Sequence, residues 1–437
     1  MFDLMYRRKG ITEDEPEEQG EMELVVKSPT EKPIEKLPSL EHRVESTIPR
    51  ISSATVAERP TLYDAHLHFK APMPRPGFGY ERIIGEDHLG IILTLAVAGD
   101  LCWGIHGKSG SSKTLHMNKL LGLIEDPYVT SQASESALFE DCDKINVASY
   151  LIFTELQKVA ISQKRAKNGK ILESLKDLGE GRAAAFKKIV GGKVEEKVLN
   201  PTPWGYCLAT NNGWVPDAEF QRRAIVLYTS NAPELREAVN RRMYENMHKI
   251  WTNLVEAESL QARLKQYMSM VRQQPNVIIF DPYADCLQDV IPDTGDSTCR
   301  IPHYQNLVMA SAKFNMPDRL RFTVGEHTYV MPELEDHFTV YSTYHDSLMK
   351  VLHNLASPEE QERFEDLKKP DWEEWFMKGV GFLNTHPDAQ LIREKLPKYV
   401  QAHSDKQIQD GRIMTLDFLT GEKKAIGDYG GLYVGPC

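Results

Sequence analysis

The chain has 437 residues, 41% of them hydrophobic and 26% charged, a globular composition that excludes a miniprotein or wholesale disorder and points to two or three domains. Six scattered cysteines (Cys102, Cys142, Cys207, Cys286, Cys299, Cys437) form no C-x-x-C pair, which argues against a disulfide framework or zinc site and for a reducing compartment. A net charge of −11 means that any affinity for nucleic acid has to come from a local basic patch. Met1 to Gly20 lack a signal-peptide core, and no run reaches the ~20 apolar residues of a membrane span, so a soluble, cytoplasmic protein with no membrane partner is expected.

From Ile11 to about Pro60 the chain is rich in Glu, Lys, Ser and Pro and reads as a flexible arm. Ala71 to Gly79 reads as a Pro/Gly linker, with regular structure expected from Tyr80. Glu86 to Ala98 has the spacing of a buried helix, and Leu101 to His106 that of a strand running into a loop at Gly107. Strands also fit Ser149 to Phe153, Tyr206 to Thr210 and Ala224 to Tyr228, with helical stretches between them. This alternation predicts an α/β fold with a mostly parallel sheet. Glu234 to Arg272 reads as one long helical region, bounded by Pro275, Pro282, Pro292 and Asp293-Thr294-Gly295. Helices are expected at His303 to Phe314 and Glu333 to Leu355, then helices and a hairpin turning at Thr420-Gly421-Glu422. The resulting division is an arm and linker over 1–79, a core over 80–275, a helical region over 276–356 and a C-terminal unit over 357–437.

The strongest chemical signal is Gly107-Lys108-Ser109-Gly110-Ser111-Ser112-Lys113-Thr114, directly after an apolar strand and before a helix-compatible run. It fits a P-loop, in which backbone N–H groups cradle nucleotide phosphates, Lys113 reaches the β/γ phosphates and the Thr114 hydroxyl binds Mg²⁺. Ser112 departs from the usual glycine. A nucleotide hydrolase also needs an acid at the end of a neighbouring strand to hold the Mg²⁺-water system and orient the attacking water; Glu155 is the candidate for both, with Thr154 where a metal-binding Asp normally precedes it. Asn211 closes another strand, placed to meet the γ-phosphate or the attacking water. Arg222 and Arg223 precede the strand AIVLY, where an arginine can be presented to a nucleotide in an adjacent subunit.

Gln157 to Asn200 holds eleven Lys and Arg against five Asp and Glu, a local +6 in an acidic chain. Within it, Ala185 to Val190 and Lys193 to Leu199 read as a hairpin on Gly191-Gly192. Lys187, Lys188 and Lys193 near its tip are candidates for contacts to a DNA backbone; the alternative is a solvated charged face.

This order of elements resembles the AAA+ ATPases, and more narrowly the minichromosome-maintenance-like helicases. Ile83-Ile84-Gly85-Glu86-Asp87 resembles the segment opening their ATPase core, and a small residue at Ser112 is similar to their P-loop. Thr154-Glu155-Leu156-Gln157-Lys158 resembles their acidic stretch at Glu155 and Lys158. Ile171 to Arg182 with the hairpin resembles their helix and pre-sensor hairpin. The resemblance implies Asn211 as sensor, Arg223 or Arg222 as arginine finger, and Arg300, within Thr298-Cys299-Arg300, as a trans-acting contact. It spans about Tyr80 to Leu355 and implies ATP and Mg²⁺ as cofactors, a homo-oligomeric ring, expected to be a hexamer, and single- or double-stranded DNA in its channel. It also implies a helical lid and a small winged-helix-like C-terminal domain with Lys395, Lys398, Lys406, Arg412, Lys423 and Lys424 as basic positions. Thr154 puts Mg²⁺ binding and turnover in question, and the family's N-terminal DNA-binding domain has no room here.

Three functions follow as expectations: an ATP-driven DNA helicase or translocase acting in DNA replication or processing, an AAA+ loader or protein remodeller that does not unwind DNA, and a nucleotide-gated assembly protein without turnover. A competing motif, Asp64-Ala65-His66-Leu67-His68, has the H-x-H spacing of a metal-dependent amidohydrolase, but the P-loop some forty residues on breaks the barrel which that reading needs.

Overall fold

A short helix, α1 (Leu62–Lys70), opens the described part of the computed structural model, which covers residues 59–426 except 76–78, 132–133, 160–169, 191–192, 213–215, 231, 248–253, 275–276, 362–363, 365–366, 368, 396, 410–411 and 419. The expected arm up to residue 58 lies outside these residues. Regular structure therefore begins before Tyr80, correcting the sequence reading. Thr61 caps α1 in a box with Asp64, whose Oδ2 accepts from the Thr61 N–H at 2.7 Å, and Leu62, Ala65, His66, His68 and Phe69 are buried. The Pro/Gly stretch after it is a hairpin, β1 (Met73–Arg75) with β2 (Gly79–Glu81). Both were missed because α1 is too short for its periodicity to stand out, and its buried face is defined by helices remote in sequence.

The central elements follow in order: α2 (Asp87–Ala98), β3 (Trp103–Gly107), α3 (Lys113–Leu121), β4 (Tyr128–Thr130), α4 (Glu135–Glu140), α5 (Cys142–Val147), β5 (Leu151–Phe153), α6 (Lys170–Gly179), the hairpin β6 (Ala184–Val190) and β7 (Lys193–Leu199), then β8 (Trp204–Ala209), α7 (Ala218–Gln221) and β9 (Ile225–Tyr228). Five of the strands form one parallel sheet in the order β4-β5-β8-β3-β9. All five run the same way, so their C-terminal ends, where Gly107, Phe153 and Ala209 lie, share one edge; ligands of open α/β sheets bind outside that edge. Helix α2 is apolar all round, and Leu89 and the run Ile91 to Ala98 are fully buried, as an interior helix should be.

Beyond the sheet, the helical region expected over 234–272 is described as α8 (Pro233–Met247) and α9 (Leu254–Arg272), with 248–253 outside the described residues. The proline-rich boundary contains β10 (Val277–Ile279), which pairs with a hairpin formed by β11 (Leu320–Val324) and β12 (His327–Met331) after α10 (Ser297–Phe314). Then come α11 (Leu334–Leu355), α12 (Pro358–Gln361), α13 (Trp372–Thr385), α14 (Gln390–Lys395), α15 (Pro397–Gln407) and a small antiparallel sheet of β13 (Ile408–Gln409), β14 (Arg412–Leu416) and β15 (Lys423–Ala425). A buried ion cluster ties these parts together. Arg319 Nε donates to Asp336 at 2.7 Å and its Nη1 to Glu333 at 3.2 Å, and Lys406 pairs with Glu333 at 2.7 Å.

One buried core runs from Leu62 and Phe69 through α2 and β3 to Trp375, Ile413, Phe418 and Ile426. A second, on the far side of the sheet, gathers Leu138, Phe153, Leu178, Phe186, Trp204 and Phe220. Among the described residues no helix is long and apolar enough to cross a membrane.

Candidate functional site

Gly107 to Thr114 make a tight turn between β3 and α3 at the C-terminal edge of the sheet. Gly110 has φ +81° with open space where a Cβ would lie, a conformation that glycine adopts without strain. Gly107 is glycine for a different reason: a Cβ there would stand 1.8 Å from Thr229 Oγ1. Lys113 is 6% exposed, and its Nζ donates to the Lys108 carbonyl at 2.5 Å and to Ser111 Oγ at 3.0 Å. Burial lowers its pKa below the ordinary lysine value, while Cys207 and Glu86 act in the opposite direction. Lys108, Ser109, Gly110 and Thr114 are exposed at the mouth of the turn.

Asn211 reaches this loop directly: its Oδ1 accepts from the Ser109 N–H at 2.8 Å. Glu155, in the turn after β5, forms an ion pair with Lys158. It and Lys113 both act on the Cys207 thiol of β8, which burial raises to about 12 while Lys113 lowers it and Glu155 raises it. The acid and the lysine thus flank the strand lying between their own. Gln157 Oε1 accepts from the Ala209 N–H at 3.2 Å, joining the Glu155 turn to the end of β8 just ahead of Asn211.

Several residues of this edge were not assigned from sequence. Glu86, 2% exposed at the start of α2, takes the Ser112 hydroxyl on one carboxylate oxygen and the Ser230 N–H on the other at 2.6 Å. Ser112 therefore does more than substitute for glycine: through Glu86 its hydroxyl fastens the Gly107–Thr114 turn to α2 and to the end of β9. Thr229 shares its hydroxyl between the His106 carbonyl at 3.2 Å and Ser111 Oγ at 2.8 Å. Only the Ile-Ile-Gly-Glu-Asp segment hinted at Glu86; nothing local marked Thr229 or Ser230.

Arg222 and Arg223 lie at the other edge, just before β9. Arg222 Nε donates to Asp296 at 2.8 Å, and Arg223 pairs with Glu180 and with Glu219. Arg300, expected as a trans-acting contact, is fully buried, with Nη1 donating to the Gln221 carbonyl at 2.7 Å. A guanidinium enclosed by its own chain does not reach a neighbouring subunit, which corrects that expectation. A cavity of about 890 Å³ opens at this edge, lined in part by Arg222, Arg223, Cys299, His303 and Asn306 and by no residue of the Gly107–Thr114 turn.

The hairpin forms in the expected register, Phe186 facing Lys197 and Val190 facing Lys193, with Gly191-Gly192 outside the described residues. Its charge is partly compensated. Lys187 pairs with Glu196 at 3.4 Å, Lys188 stands opposite Glu195 in the register, and Lys193 is exposed. The outward face also exposes Ile189, Val194 and Val198. Of the C-terminal basic positions, Lys406 pairs with Glu333 and Lys424 with Asp417.

His66 and His68 lie on α1 and not at a strand end, and positions two apart on a helix face different ways. Burial lowers His68 to about 4, and its ring Nε2 is 3.0 Å from the Lys119 carbonyl. Among the described residues no group of three or more His, Cys, Asp and Glu is placed to hold a metal ion. No family model matches the chain, and no curated protein is similar to it.

Proposed function

We propose that this chain is an ATP-hydrolysing, ring-forming DNA helicase or translocase of the AAA+ class, resembling the minichromosome-maintenance-like helicases. The observation that carries the reading is the meeting of three remote segments at one sheet edge: the Gly107–Thr114 turn, Asn211 bonded to it, and Glu155 across a single intervening strand. The residues fit a triphosphate. The Gly110 position is open, Lys113 Nζ is held, among the described residues, by groups of the loop itself, and Thr114 is an exposed hydroxyl at the first turn of α3. Mg²⁺ keeps several waters and takes one or two protein groups beside phosphate oxygens; with Thr154 in place of an Asp, Thr114 and Glu155 would hold it.

Bound ATP with Mg²⁺ supplies the scissile phosphoanhydride and a neutralising cation. Lys113 exchanges its loop carbonyl for phosphate oxygens, Glu155 leaves Lys158 to orient water, and Asn211 holds that water or the terminal phosphate. Arg222 and Arg223 are too far along the sheet to serve their own P-loop, since β9 alone spans about 13 Å at ~3.3 Å per residue; they serve an adjoining protomer. Lys193, with Lys187 and Lys188, grips DNA in the channel of a ring expected to hold six subunits. The three helices α13 to α15 followed by an antiparallel hairpin fit a winged-helix-like C-terminal unit.

The compensation of Lys187 by Glu196 favours a second reading, a loader or protein remodeller whose hairpin touches protein. ATPase rate with and without single-stranded DNA, beside mass by light scattering with ATP present, separates them. The translocase gives DNA-stimulated turnover abolished by Lys113→Ala; turnover indifferent to DNA leaves the remodeller, and hydrolysis that survives Lys113→Ala refutes both.

A further inference from the structure

The first two turns of α10 grip the Arg222–Arg223 turn by its backbone. Arg300 Nη1 donates to the Gln221 carbonyl at 2.7 Å and lies 3.4 Å from the Ala224 carbonyl. The His303 ring Nε2 is 2.8 Å from the Arg222 carbonyl; facing a carbonyl, that nitrogen carries the proton and donates. Two side chains of one helix thus take three of the four carbonyls over residues 221–224, and Arg222 returns a bond to Asp296, the residue just before the same helix.

The grip is costly to maintain. Arg300 is fully buried, and among the described residues its Nε and Nη2 have no hydrogen-bond partner and no carboxylate pairs with it. A buried charge in that condition is less favourable than a well-packed apolar side chain of similar volume. Packing alone therefore gives no reason for a guanidinium here, whereas holding the carbonyls on either side of two arginines does.

We infer that Arg300 and His303 are positioning residues which fix the turn carrying Arg222 and Arg223, so that this arginine pair is presented to the nucleotide of an adjoining subunit. The inference rests on the ATPase reading above and gives Arg300 an indirect part in place of direct contact with the nucleotide. Arg300 and His303 act on the protomer next door, through the arginines, and leave their own P-loop intact.

The test compares Arg300→Met, His303→Leu and His303→Gln with the parent chain, each alone and mixed with Lys113→Ala subunits. Displacement of a catalytic group by about 1 Å costs on the order of a hundredfold, so Arg300→Met and His303→Leu should lose roughly ten- to a hundredfold in kcat with KM within about twofold. Oligomer mass should not fall in either, and the thermal midpoint of Arg300→Met should stay at the parent value. His303→Gln, which keeps an N–H donor, should recover most of the rate. In mixed rings a Lys113→Ala subunit lends its well-held arginines to the intact P-loop of an Arg300→Met subunit; with about a quarter of the sites so paired in a random one-to-one mixture, it should turn over roughly three- to twentyfold faster than Arg300→Met alone.

Parent-like rates in Arg300→Met and His303→Leu, a defect that mixing does not relieve, or His303→Gln as slow as His303→Leu would each overturn the inference. Should Arg300→Met fail to fold, the His303 pair gives the same readouts. Failure of the underlying ATPase reading shows separately, as undiminished hydrolysis by Lys113→Ala, and takes this inference with it.

Discussion

Replacing Gly107 by alanine tests whether the Gly107–Thr114 turn, the proposed nucleotide loop, is locked against the end of β9. The new Cβ would stand 1.8 Å from Thr229 Oγ1 and 2.9 Å from Ser111 Oγ, far inside van der Waals contact. Thr229 must then move, leaving the His106 carbonyl and Ser111 hydroxyl that it now joins at 3.2 and 2.8 Å. Overpacking costs about 1–3 kcal/mol and the lost hydrogen bond ~1 kcal/mol, so Gly107→Ala should destabilise by about 2–4 kcal/mol. Thr229→Ala alone should cost ~1–2 kcal/mol. In the double variant the clashing Thr229 oxygen is gone, leaving the movable Ser111 Oγ at 2.9 Å and the residue-229 Cβ at 3.2 Å, so the combined loss should fall about 1–2 kcal/mol short of the sum. Urea unfolding of the four proteins at pH 7 measures the cycle, and titration of a fluorescent ATP analogue follows the loop. Additivity to within about 0.5 kcal/mol would refute the packing argument.

Glu155→Gln should keep nucleotide affinity within a few-fold yet slow hydrolysis by roughly 10²–10⁴-fold, the usual worth of a positioned base; an unchanged single-turnover rate removes Glu155 from the chemistry. Because Lys187 is neutralised by Glu196, Lys193→Ala should weaken binding of a labelled DNA strand more than Lys187→Ala, and Glu196→Gln should strengthen it, with both effects shrinking as salt rises. Burial lowers His68 and His403 to about 4. Their folded pKa lies below the unfolded value, so they contribute full stability above pH ~6.5 and lose it as pH falls toward 4, on the order of 3 kcal/mol each. A urea midpoint that stays flat from pH 7.5 to 4.5 contradicts this. Asp336→Asn, which breaks the buried pair with Arg319 at 2.7 Å, should cost about 3–5 kcal/mol, read as a drop in thermal midpoint.

How much could be read in advance follows from the range of each signal. The helix over 87–98, the strand before Gly107, the turn itself and the hairpin over 184–199 were legible because their periodicity and glycine spacing are local. The same locality explains α1: an arm-like composition hid a nine-residue helix whose buried face exists only against α2, α3 and α9. It also explains the H-x-H motif, whose spacing means a metal site on a strand and nothing of the kind on a helix.

What the sequence determined by itself is an inventory: an alternating α/β chain, a phosphate-type loop, an acid, an asparagine and two arginines at the ends of apolar runs. Only the tertiary structure decided which of them meet. Strand order put β8 between the loop and the acid, Glu86 met Ser230 across 144 residues, and Arg300 went inside while Arg222 and Arg223 stayed at the opposite edge. Such pairings are set by packing and hydrogen-bond satisfaction among segments far apart in the chain, and no pattern within a window of residues encodes them.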